Sequence, residues 1–384
     1  MRHFPSNRPP LTVAVERILP GGLGLAHAGG RTILVELAAP GDVARVRVDR
    51  KQGKVLFASI VEIITPGPGR VAPPCRYFGE CGGCDFQQLS YEAQLAAKVG
   101  FIQDCLRRIA KIEPPDVPIT PAPREFGYRT RAEWQRDGRR IGYFSRRSHR
   151  ICDVSECAVL APELQAALTN LRGEDLPASV TGLNAQAGDD GLSLAPMRPG
   201  DVQVRIGAHS YRLNANGFFQ SSPDLLAQLI EFALAGAAGE SALDLYCGVG
   251  LFTLPLAQIF ARVMGVEANL TAVGYTQLNL IGAGYSHADA VYGQVGEWLA
   301  ENAAEWRGAD FVLLDPPRAG VEPGGLEALL KLMPQRLAYV SCDPATLARD
   351  LRFLLANGYQ LDDIAAFDLF PQTHHVETVA RLSL

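Results

Sequence analysis

The feature that most constrains the fold is a regular alternation of strand and helix patterns from about residue 222 to the C-terminus. Apolar segments such as SALDLYC, ADFVLLDPP and RLAYVSCD predict buried strands, and the segments between them have helical periodicity. Five such βα units are followed by two strand patterns, YQLDDIAAFDLF and VETVARLSL, with no helix between them. This order predicts an α/β fold, in which a doubly wound Rossmann-type sheet ends in an antiparallel pair.

The first half of the chain has different patterns. Residues 10–65 contain short Val/Ile-rich runs of period two separated by Gly/Pro turns, which predict a small β-barrel of the OB type. Residues 65–74 predict a linker, residues 91–112 an amphipathic helix, and residues 124–215 mostly antiparallel strands with one helix. Because 384 residues exceed one ordinary core, we expect three domains, at residues 1–66, 67–215 and 216–384.

Charge is distributed unevenly along the chain. Residues 1–150 contain 24 Lys+Arg and 14 Asp+Glu, a net charge of +10, whereas the remainder carries −15. Nine arginines lie between Arg124 and Arg150, interleaved with Phe126, Tyr128, Trp134, Tyr143 and Phe144. Guanidinium groups for phosphates and aromatic faces for unstacked bases are typical of contacts with single-stranded or looped RNA. The alternative is a solvated hairpin whose aromatic side chains face the core.

Composition excludes several classes of protein. A hydrophobic share of 47% excludes a disordered chain, and no apolar run reaches the ~18–20 residues of a membrane span. The N-terminus has no apolar signal-peptide core, so we expect a soluble, cytoplasmic protein with no contact to a membrane. Nothing in the sequence indicates an obligate protein partner. In a reducing compartment, eight cysteines favour metal binding or catalysis over disulfides.

The first βα turn runs from Asp244 to Thr253 and contains G-x-G-x-x-T. Its glycines allow the backbone to approach a ligand, but the third glycine of the dinucleotide fingerprint is missing. Glu267 ends the next strand, where a carboxylate can accept both ribose hydroxyls. The pattern therefore favours S-adenosylmethionine over a nicotinamide cofactor.

Three strand ends carry candidate catalytic groups. Asp315 begins a D-P-P-R motif that is also typical of amino-group methyltransferases, so it does not identify the substrate atom. Cys342 lies between a strand and a helix N-terminus, where the helix dipole is expected to lower the thiol pKa. A C5-pyrimidine methyltransferase needs such a nucleophile to add to C6, and it needs a base to remove the C5 proton. Glu377 is the leading candidate for that base, whereas an amino-group methyltransferase would need no nucleophile.

Cys75, Cys81 and Cys84 lie close together in a Gly-rich segment and suit a metal ion or an iron–sulfur cluster. Cys152 and Cys157 are the candidates for a fourth ligand. Spacing alone does not separate zinc from iron–sulfur.

These motifs together resemble those of the RNA uracil-C5 methyltransferases, which make 5-methyluridine in 23S rRNA or tRNA with S-adenosylmethionine. The similar segments are GFFQ, DLYCGVG, GVEAN, LLDPPRAG, SCDPATLARD and HVET in the second half and CRYFGECGGCDFQQLSYEAQLAAK and ECAVLAPEL in the first. The N-terminal barrel resembles the family's TRAM domain, an RNA-binding module. The resemblance covers nearly the whole chain.

The resemblance implies specific roles for individual residues. It makes Cys342 the nucleophile and Glu377 the base. It assigns the cofactor site to Gln220, Tyr246, Glu267 and Asp315, and a [4Fe–4S] cluster to Cys75, Cys81, Cys84 and Cys157. Family members commonly carry Asn at Ser222 and Leu251 and an acidic residue at Gln294, so these three contacts are not carried over. The barrel and the cluster together favour 23S rRNA over the tRNA T-loop as substrate.

Overall fold

The structure, a computed structural model, describes residues 2–3 and 9–384. Residues 1 and 4–8, which belong to the predicted N-terminal domain, lie outside this description. None of the helices in the described part is both long enough and apolar enough to cross a membrane.

The N-terminal region is a closed β-barrel, as the alternating pattern predicts. Its strands are β1 (Arg2–His3), β2 (Leu11–Leu19), β3 (Leu23–Ala28), β4 (Arg31–Val35), β5 (Val43–Gln52) and β6 (Val55–Thr65). The sheet order β1-β5-β2-β3-β4-β6 is closed by pairing of β5 with β6. Alternate side chains such as Val13, Val15, Ile33 and Val46 point inward and form the barrel core.

A long helix connects the barrel to the rest of the chain. Helix α1 (Tyr91–Cys105) begins after Ser90, whose hydroxyl accepts a hydrogen bond from the Ala93 amide, and a π-helical turn extends it through Leu106–Ala110. Lys111 then ends the helix in a left-handed conformation, close to the predicted end. Ile102 and Leu106 are buried in the same hydrophobic core as the C-terminal sheet.

The middle of the chain forms an antiparallel sheet and a hairpin. The elements are β7 (Ile119–Thr120), β8 (Arg131–Asp137), β9 (Arg140–Phe144), β10 (Ile151–Asp153), α2 (Pro162–Gly173), β11 (Gly182–Gly188), β12 (Gly191–Ala195), β13 (Val202–Ile206) and β14 (His209–Leu213). The order of the sheet is β10-β9-β8-β11-β12. Leu164, Leu168 and Leu171 of α2 share a core with Trp134, which leaves Glu133 and Gln135 on the opposite face of β8.

The C-terminal region has the predicted doubly wound sheet. Its elements are α3 (Leu226–Ala233), β15 (Ser241–Leu245), α4 (Thr253–Ile259), β16 (Arg262–Glu267), α5 (Leu270–Ala283), β17 (Ala288–Tyr292), α6 (Val295–Asn302), β18 (Phe311–Leu314), α7 (Gly325–Leu332), β19 (Arg336–Ser341), α8 (Pro344–Ala356), β20 (Gln360–Phe367) and β21 (Glu377–Ser383). The strand order is β17-β16-β15-β18-β19-β21-β20-β7, with β21 antiparallel to both neighbours. The short strand β7 extends this sheet beside β20.

One predicted helix start is wrong. The sequence places a helix start at Ser222 with Pro223 as its first residue, but α3 begins at Leu226. Residues 223–225 instead form a turn in which the Leu226 amide donates to the Pro223 carbonyl over 3.2 Å. Ser222 is buried and does not cap the helix.

Candidate active site

A cavity of about 1270 Å³ opens at the carboxyl edge of the C-terminal sheet. Six residues proposed from the sequence for catalysis and for the methyl donor line this one cavity. They are Gln220, Tyr246, Glu267, Asp315, Cys342 and Glu377. The parallel strands bring most of them together, because β15, β16, β18 and β19 all end at this edge.

The turn after β15 prepares one end of the cavity for a ligand. Tyr246 has a positive φ of 67°, a strained conformation for a residue other than glycine, and its amide donates to the Val266 carbonyl over 2.8 Å. The Glu267 carboxylate accepts hydrogen bonds from the Gly248 amide, at 3.1 Å, and the Asn269 amide, at 2.8 Å. These bonds fix the carboxylate at the strand end predicted to bind ribose hydroxyls.

Two carboxyl groups that line this part of the cavity, those of Glu267 and Asp315, lie close to a third, that of Asp244, which is buried behind the lining. Burial, opposed by a hydrogen bond from Thr253, raises the pKa of Asp244 to about 7, and the charge of Glu267 contributes to the increase. Burial also raises the pKa of Asp315 to about 8, together with the charges of Asp244 and Glu267. Such a group of acids is stabilised when a cation enters the cavity.

A further carboxylate of this region, Glu322, was not found from the sequence. It accepts hydrogen bonds from the Tyr246 hydroxyl and, at 2.5 Å, from the Gly296 amide. Glu322 therefore joins the loop after β18 to the turn after β15 and lines the cavity. Its position seven residues after Asp315 is the available sequence signal. Gln294, the position of the missing acidic residue, also lines the cavity.

Strand register brings Cys342 and Glu377 together. In the antiparallel pair β19–β21, Ser341 lies opposite Thr378, so the next residue outward on each strand is Cys342 and Glu377. Opposed residues of such a pair have Cβ atoms about 5 Å apart. A thiol and a carboxyl group therefore lie side by side in the lining of the cavity although 35 positions separate them in the sequence.

The expectation of a lowered Cys342 pKa is wrong for the ligand-free protein. Burial raises the pKa of this thiol to about 12, the charge of Glu377 adds to the increase, and Arg318 opposes it. The helix N-terminus does not compensate, because the Asp343 side chain already accepts from the Ala345 and Thr346 amides, both at 2.9 Å. The capping carboxylate thereby neutralises the dipole on which the prediction depended.

Glu377 is buried at 2% exposure. Burial raises its pKa well above the usual range, the charge of Asp315 acts in the same direction, and Arg318 opposes both. The guanidinium of Arg318 also lies 3.3 Å from Nε2 of His375. Arg318 is thus the cation that faces the thiol and the carboxyl group.

The loop that precedes Glu377 is held by residues from the first half of the chain. Gln372 is buried with a positive φ of 69°, and its amide donates to Oε1 of Gln94 over 2.9 Å. The Asp85 and Phe86 amides donate to the Gln372 carbonyl, at 3.1 and 3.0 Å.

The Asp85 carboxylate accepts from the His374 amide at 2.9 Å and lies 2.5 Å from its Nδ1. Sequence reasoning missed Asp85, for which proximity to Cys84 was the available signal.

The cysteine-rich segment lies against this loop. Cys75, Cys81, Cys84 and Cys157 line one small cavity of about 20 Å³ between the segment and the central sheet, whereas Cys152 is buried in the adjoining core. Within residues 2–3 and 9–384, no group of three or more His, Cys, Asp or Glu side chains has an arrangement that could hold a single metal ion. Arg129 lines both this cavity and the large one, and its Nε has no hydrogen-bond partner in the described part of the chain.

The arginines between residues 124 and 150 are largely engaged within the protein. Those with internal partners form ion pairs or bind backbone carbonyls: Arg124 with Asp224, Arg131 with Gly217, Arg136 with Leu176, Pro177 and Val180, Arg140 with Asp137, Arg146 with Cys84, and Arg147 with Glu36. Tyr128 and Trp134 are buried, as the alternative of a core-facing hairpin required. Phe144 is the exposed aromatic side chain of this segment.

Comparisons with known proteins agree with this arrangement. The chain matches the family described as tRNA (Uracil-5-)-methyltransferase over residues 200–288 and 305–383, and the TRAM domain of tRNA (uracil(54)-C(5))-methyltransferase over residues 11–68. It is 33% identical to the 23S rRNA (uracil(1939)-C(5))-methyltransferase RlmD of Pseudomonas putida, over 95% of this chain and 92% of the relative. It is 31% identical to an uncharacterized RNA methyltransferase of Gloeobacter violaceus, over 97% of this chain and 96% of the relative.

A solved structure covers nearly the same length. The crystal structure of Pyrococcus abyssi tRNA (uracil-54, C5)-methyltransferase in complex with S-adenosyl-L-homocysteine is similar with a TM-score of 0.76 and 26% identity. The match covers 96% of this chain and 100% of that one. The likeness includes the barrel, the central region and the doubly wound sheet.

Proposed function

The chain belongs to the RNA uracil-C5 methyltransferases, and from this premise we propose that it methylates C5 of a uridine in 23S rRNA through a covalent adduct with Cys342. The observation that carries the proposal is that Cys342 and Glu377 lie opposite each other in the lining of the cavity that also contains the acidic strand ends. An amino-group methyltransferase would have no use for this pair of side chains.

S-Adenosylmethionine suits the acidic end of the cavity. Its sulfonium and ammonium groups are cations, and a cation in the cavity would stabilise the ionised forms of Glu267 and Asp315 in the lining and of Asp244 buried behind them. Glu267 is held in position to accept hydrogen bonds from the ribose hydroxyls. Gln220 and Tyr246 also line this cavity. The Pyrococcus abyssi relative carries S-adenosyl-L-homocysteine, the product that remains after methyl transfer.

For the nucleic-acid substrate, we favour 23S rRNA. The Pseudomonas putida and Alkalilimnicola ehrlichii enzymes named for uracil 1939 are 33% and 31% identical to this chain over at least 95% of its length. The tRNA enzyme of known structure is 26% identical. The second candidate, a tRNA uridine, is favoured by the TRAM-domain match to the uracil-54 enzymes.

In the proposed reaction the target uridine leaves its helix and enters the cavity. The Cys342 thiol first loses its proton to solvent, its thiolate sulfur forms a bond to C6, and the electron pair of the C5–C6 double bond attacks the methyl carbon of the donor. The carbon–sulfur bond of the sulfonium breaks, and its electron pair stays on the departing sulfur. Glu377 then takes the C5 proton, the C5–C6 double bond forms again, and the C6–sulfur bond breaks to return the thiolate and release 5-methyluridine.

We also propose that Cys75, Cys81, Cys84 and Cys157 would hold a [4Fe–4S] cluster. The four thiols line one apolar cavity, yet they do not converge on a point where a single zinc ion would bind. A four-iron cluster takes four cysteine thiolates as ligands, which is the number of thiols that line this cavity. The reaction above needs no electron, so a bound cluster would serve to position the surrounding loops.

The covalent step separates the proposal from its alternatives. We expect Glu377→Gln to accumulate a covalent protein–RNA complex that carries label from the donor methyl group, because only proton removal is lost. Cys342→Ala should bind RNA and donor without methylating or attaching RNA, because no C6 bond can form. Both variants are incubated with labelled S-adenosylmethionine and separate rRNA and tRNA transcripts, and the complex is detected on a denaturing gel.

Matched controls are Glu301→Gln, at an exposed helix position, and Cys105→Ala, in the core away from the cavity. Both controls should keep the parent rate and form no trapped complex. Methylation of RNA by Cys342→Ala would refute the C5 mechanism. If only the tRNA transcript is methylated, 23S rRNA is excluded as the substrate and a tRNA uridine takes its place.

A further inference from the structure

A second concave surface, which we call the basin, adjoins the catalytic cavity. It has a volume of about 620 Å³ and is formed by β8, the end of β9 and the loop between β9 and β10. The basin and the catalytic cavity share Gly82, Gly83 and Asp85 as lining residues. A chain of nucleotides that places one base in the cavity can therefore place a neighbouring base in the basin. The volume lies within the range of about 300–1,000 Å³ typical of ligand sites.

The basin has an exposed aromatic wall. The side chain of Phe144 is 40% exposed, and its ring meets the ring of His149 edge-on with centroids 5.3 Å apart. Tyr128 and Trp134 of the same segment are buried in the core, whereas Phe144 is exposed. Packing in the core therefore does not explain the aromatic residue at position 144. An exposed ring next to a nucleic-acid cavity offers a stacking surface for an unpaired base.

The polar lining suits the edge of a base better than a phosphate group. Glu133 and Gln135 project from the open face of β8 into the basin, and a carboxylate repels phosphate. Two arginines line the basin, and both have partners within the protein: Arg146 donates to the Cys84 carbonyl, and Arg147 is paired with Glu36 of the barrel. Glutamate accepts hydrogen bonds and donates none when ionised, so it favours a base with an exocyclic amino group.

The cysteine segment (residues 75–85) fixes the backbone next to the basin. The Gly82 amide donates to the Phe144 carbonyl over 2.9 Å, and the Arg146 amide donates to the Glu80 carbonyl over 2.8 Å. A Cβ atom at Gly82 would lie 2.8 Å from the Phe144 carbonyl oxygen, so this approach requires glycine. The position of Phe144 is therefore set before RNA binds.

We propose that the basin is a nucleobase subsite for a nucleotide that flanks the target uridine. The base stacks on Phe144, and its amino group donates to Glu133. This proposal rests on the proposed methylation of RNA. It adds that recognition of a flanking base in the basin contributes to the choice of substrate. A flanking A, C or G has the required amino group, whereas a flanking U does not.

The test uses transcripts of the 23S rRNA segment around uracil 1939, with single abasic substitutions at each position flanking the target. Dissociation constants are measured without methyl donor, so that binding is judged apart from catalysis. Loss of one stacked base corresponds to about 1–3 kcal/mol, so Phe144→Ala should weaken binding roughly 5- to 150-fold. Phe144→Trp should retain affinity. Leu192→Ala, at an exposed position on the far strand of the same sheet, is the matched control and should bind as the parent does.

The decisive result is a lack of additivity. At one flanking position the abasic substitution should weaken binding by the parent protein and cause a clearly smaller loss with Phe144→Ala, which has already lost the stacking contact. At that position uridine should bind worse than an amino-bearing base, and Glu133→Gln should remove the preference. Unchanged affinity of Phe144→Ala, or full additivity at every position, would overturn the subsite. A parent protein that binds this RNA without methylating it would overturn the proposed substrate and leave the subsite judged by binding alone.

Discussion

We expect the Cys342 thiol of the ligand-free protein to react with iodoacetamide about a thousandfold more slowly at pH 8 than an unperturbed cysteine. The thiolate is the reactive form, and burial raises the pKa of Cys342 from 9.0 to about 12. Each unit of pKa above the working pH lowers the thiolate fraction about tenfold. Because the neutral form is favoured, the rate should rise with pH well beyond the range in which ordinary thiols level off.

Two substitutions should move this pKa in opposite directions. The charge of Glu377 raises the pKa of Cys342, so Glu377→Gln, which removes that charge, should lower the pKa of the thiol. We therefore expect its alkylation at pH 9 to become faster than that of the parent protein. Removal of the Arg318 charge in Arg318→Gln should slow alkylation, because that guanidinium favours the thiolate.

The assay follows carbamidomethylation of the peptide that contains Cys342 by mass spectrometry, at a series of pH values. The same peptide in urea-unfolded protein provides the reference rate, so the other seven cysteines do not interfere. An apparent pKa at or below 9 for Cys342 in the folded protein would refute the burial argument. Equal rates for the parent, Glu377→Gln and Arg318→Gln would refute the electrostatic one.

Three further expectations concern the parts that support the site. Asp85→Ala should lower the single-turnover rate constant of methylation and leave methyl-donor affinity unchanged, because His374 loses both hydrogen bonds to the carboxylate. An unchanged rate constant would contradict this role. Lys98→Met should lower the free energy of unfolding by about 3–5 kcal/mol in urea titrations, because it leaves Asp368 buried without its cation, and Lys98→Met/Asp368→Leu should recover much of the loss. Protein purified without oxygen should contain about four iron and four sulfide per chain, and Cys157→Ser should lower this content; zinc with negligible sulfide would exclude the cluster.

The sequence predicts those parts of the site that depend on strand order. Asp315 and Cys342 follow neighbouring parallel strands, and such strand ends meet at one edge of a sheet whatever the details of packing. The barrel could be predicted for a similar reason, since alternation and turn spacing determine which side chains face inward. Each of these inferences uses local pattern together with a general rule of topology.

The remaining features depend on contacts between distant segments. Asp85 meets His374 across 289 positions, and no local pattern indicates this contact. The sign of the Cys342 pKa shift depends on burial and on the charge of Glu377, neither of which follows from a strand–helix boundary alone. Arg136 looked suited to phosphate by composition, but its guanidinium binds backbone carbonyls of the loop that precedes β11.

The cysteine segment therefore contacts two parts of the site, which its composition did not indicate. On one side, Gly82 supports the Phe144 backbone and the wall of the basin. On the other side, the Asp85 amide and carboxylate hold the loop that carries His374 and leads to Glu377. Four thiolates bound to one cluster would fix both sides relative to each other, because Cys81 and Cys84 enclose the two glycines of the turn. If both proposals hold, a reaction that transfers no electron would gain from a bound cluster a fixed distance between the methylated base and the base bound beside it.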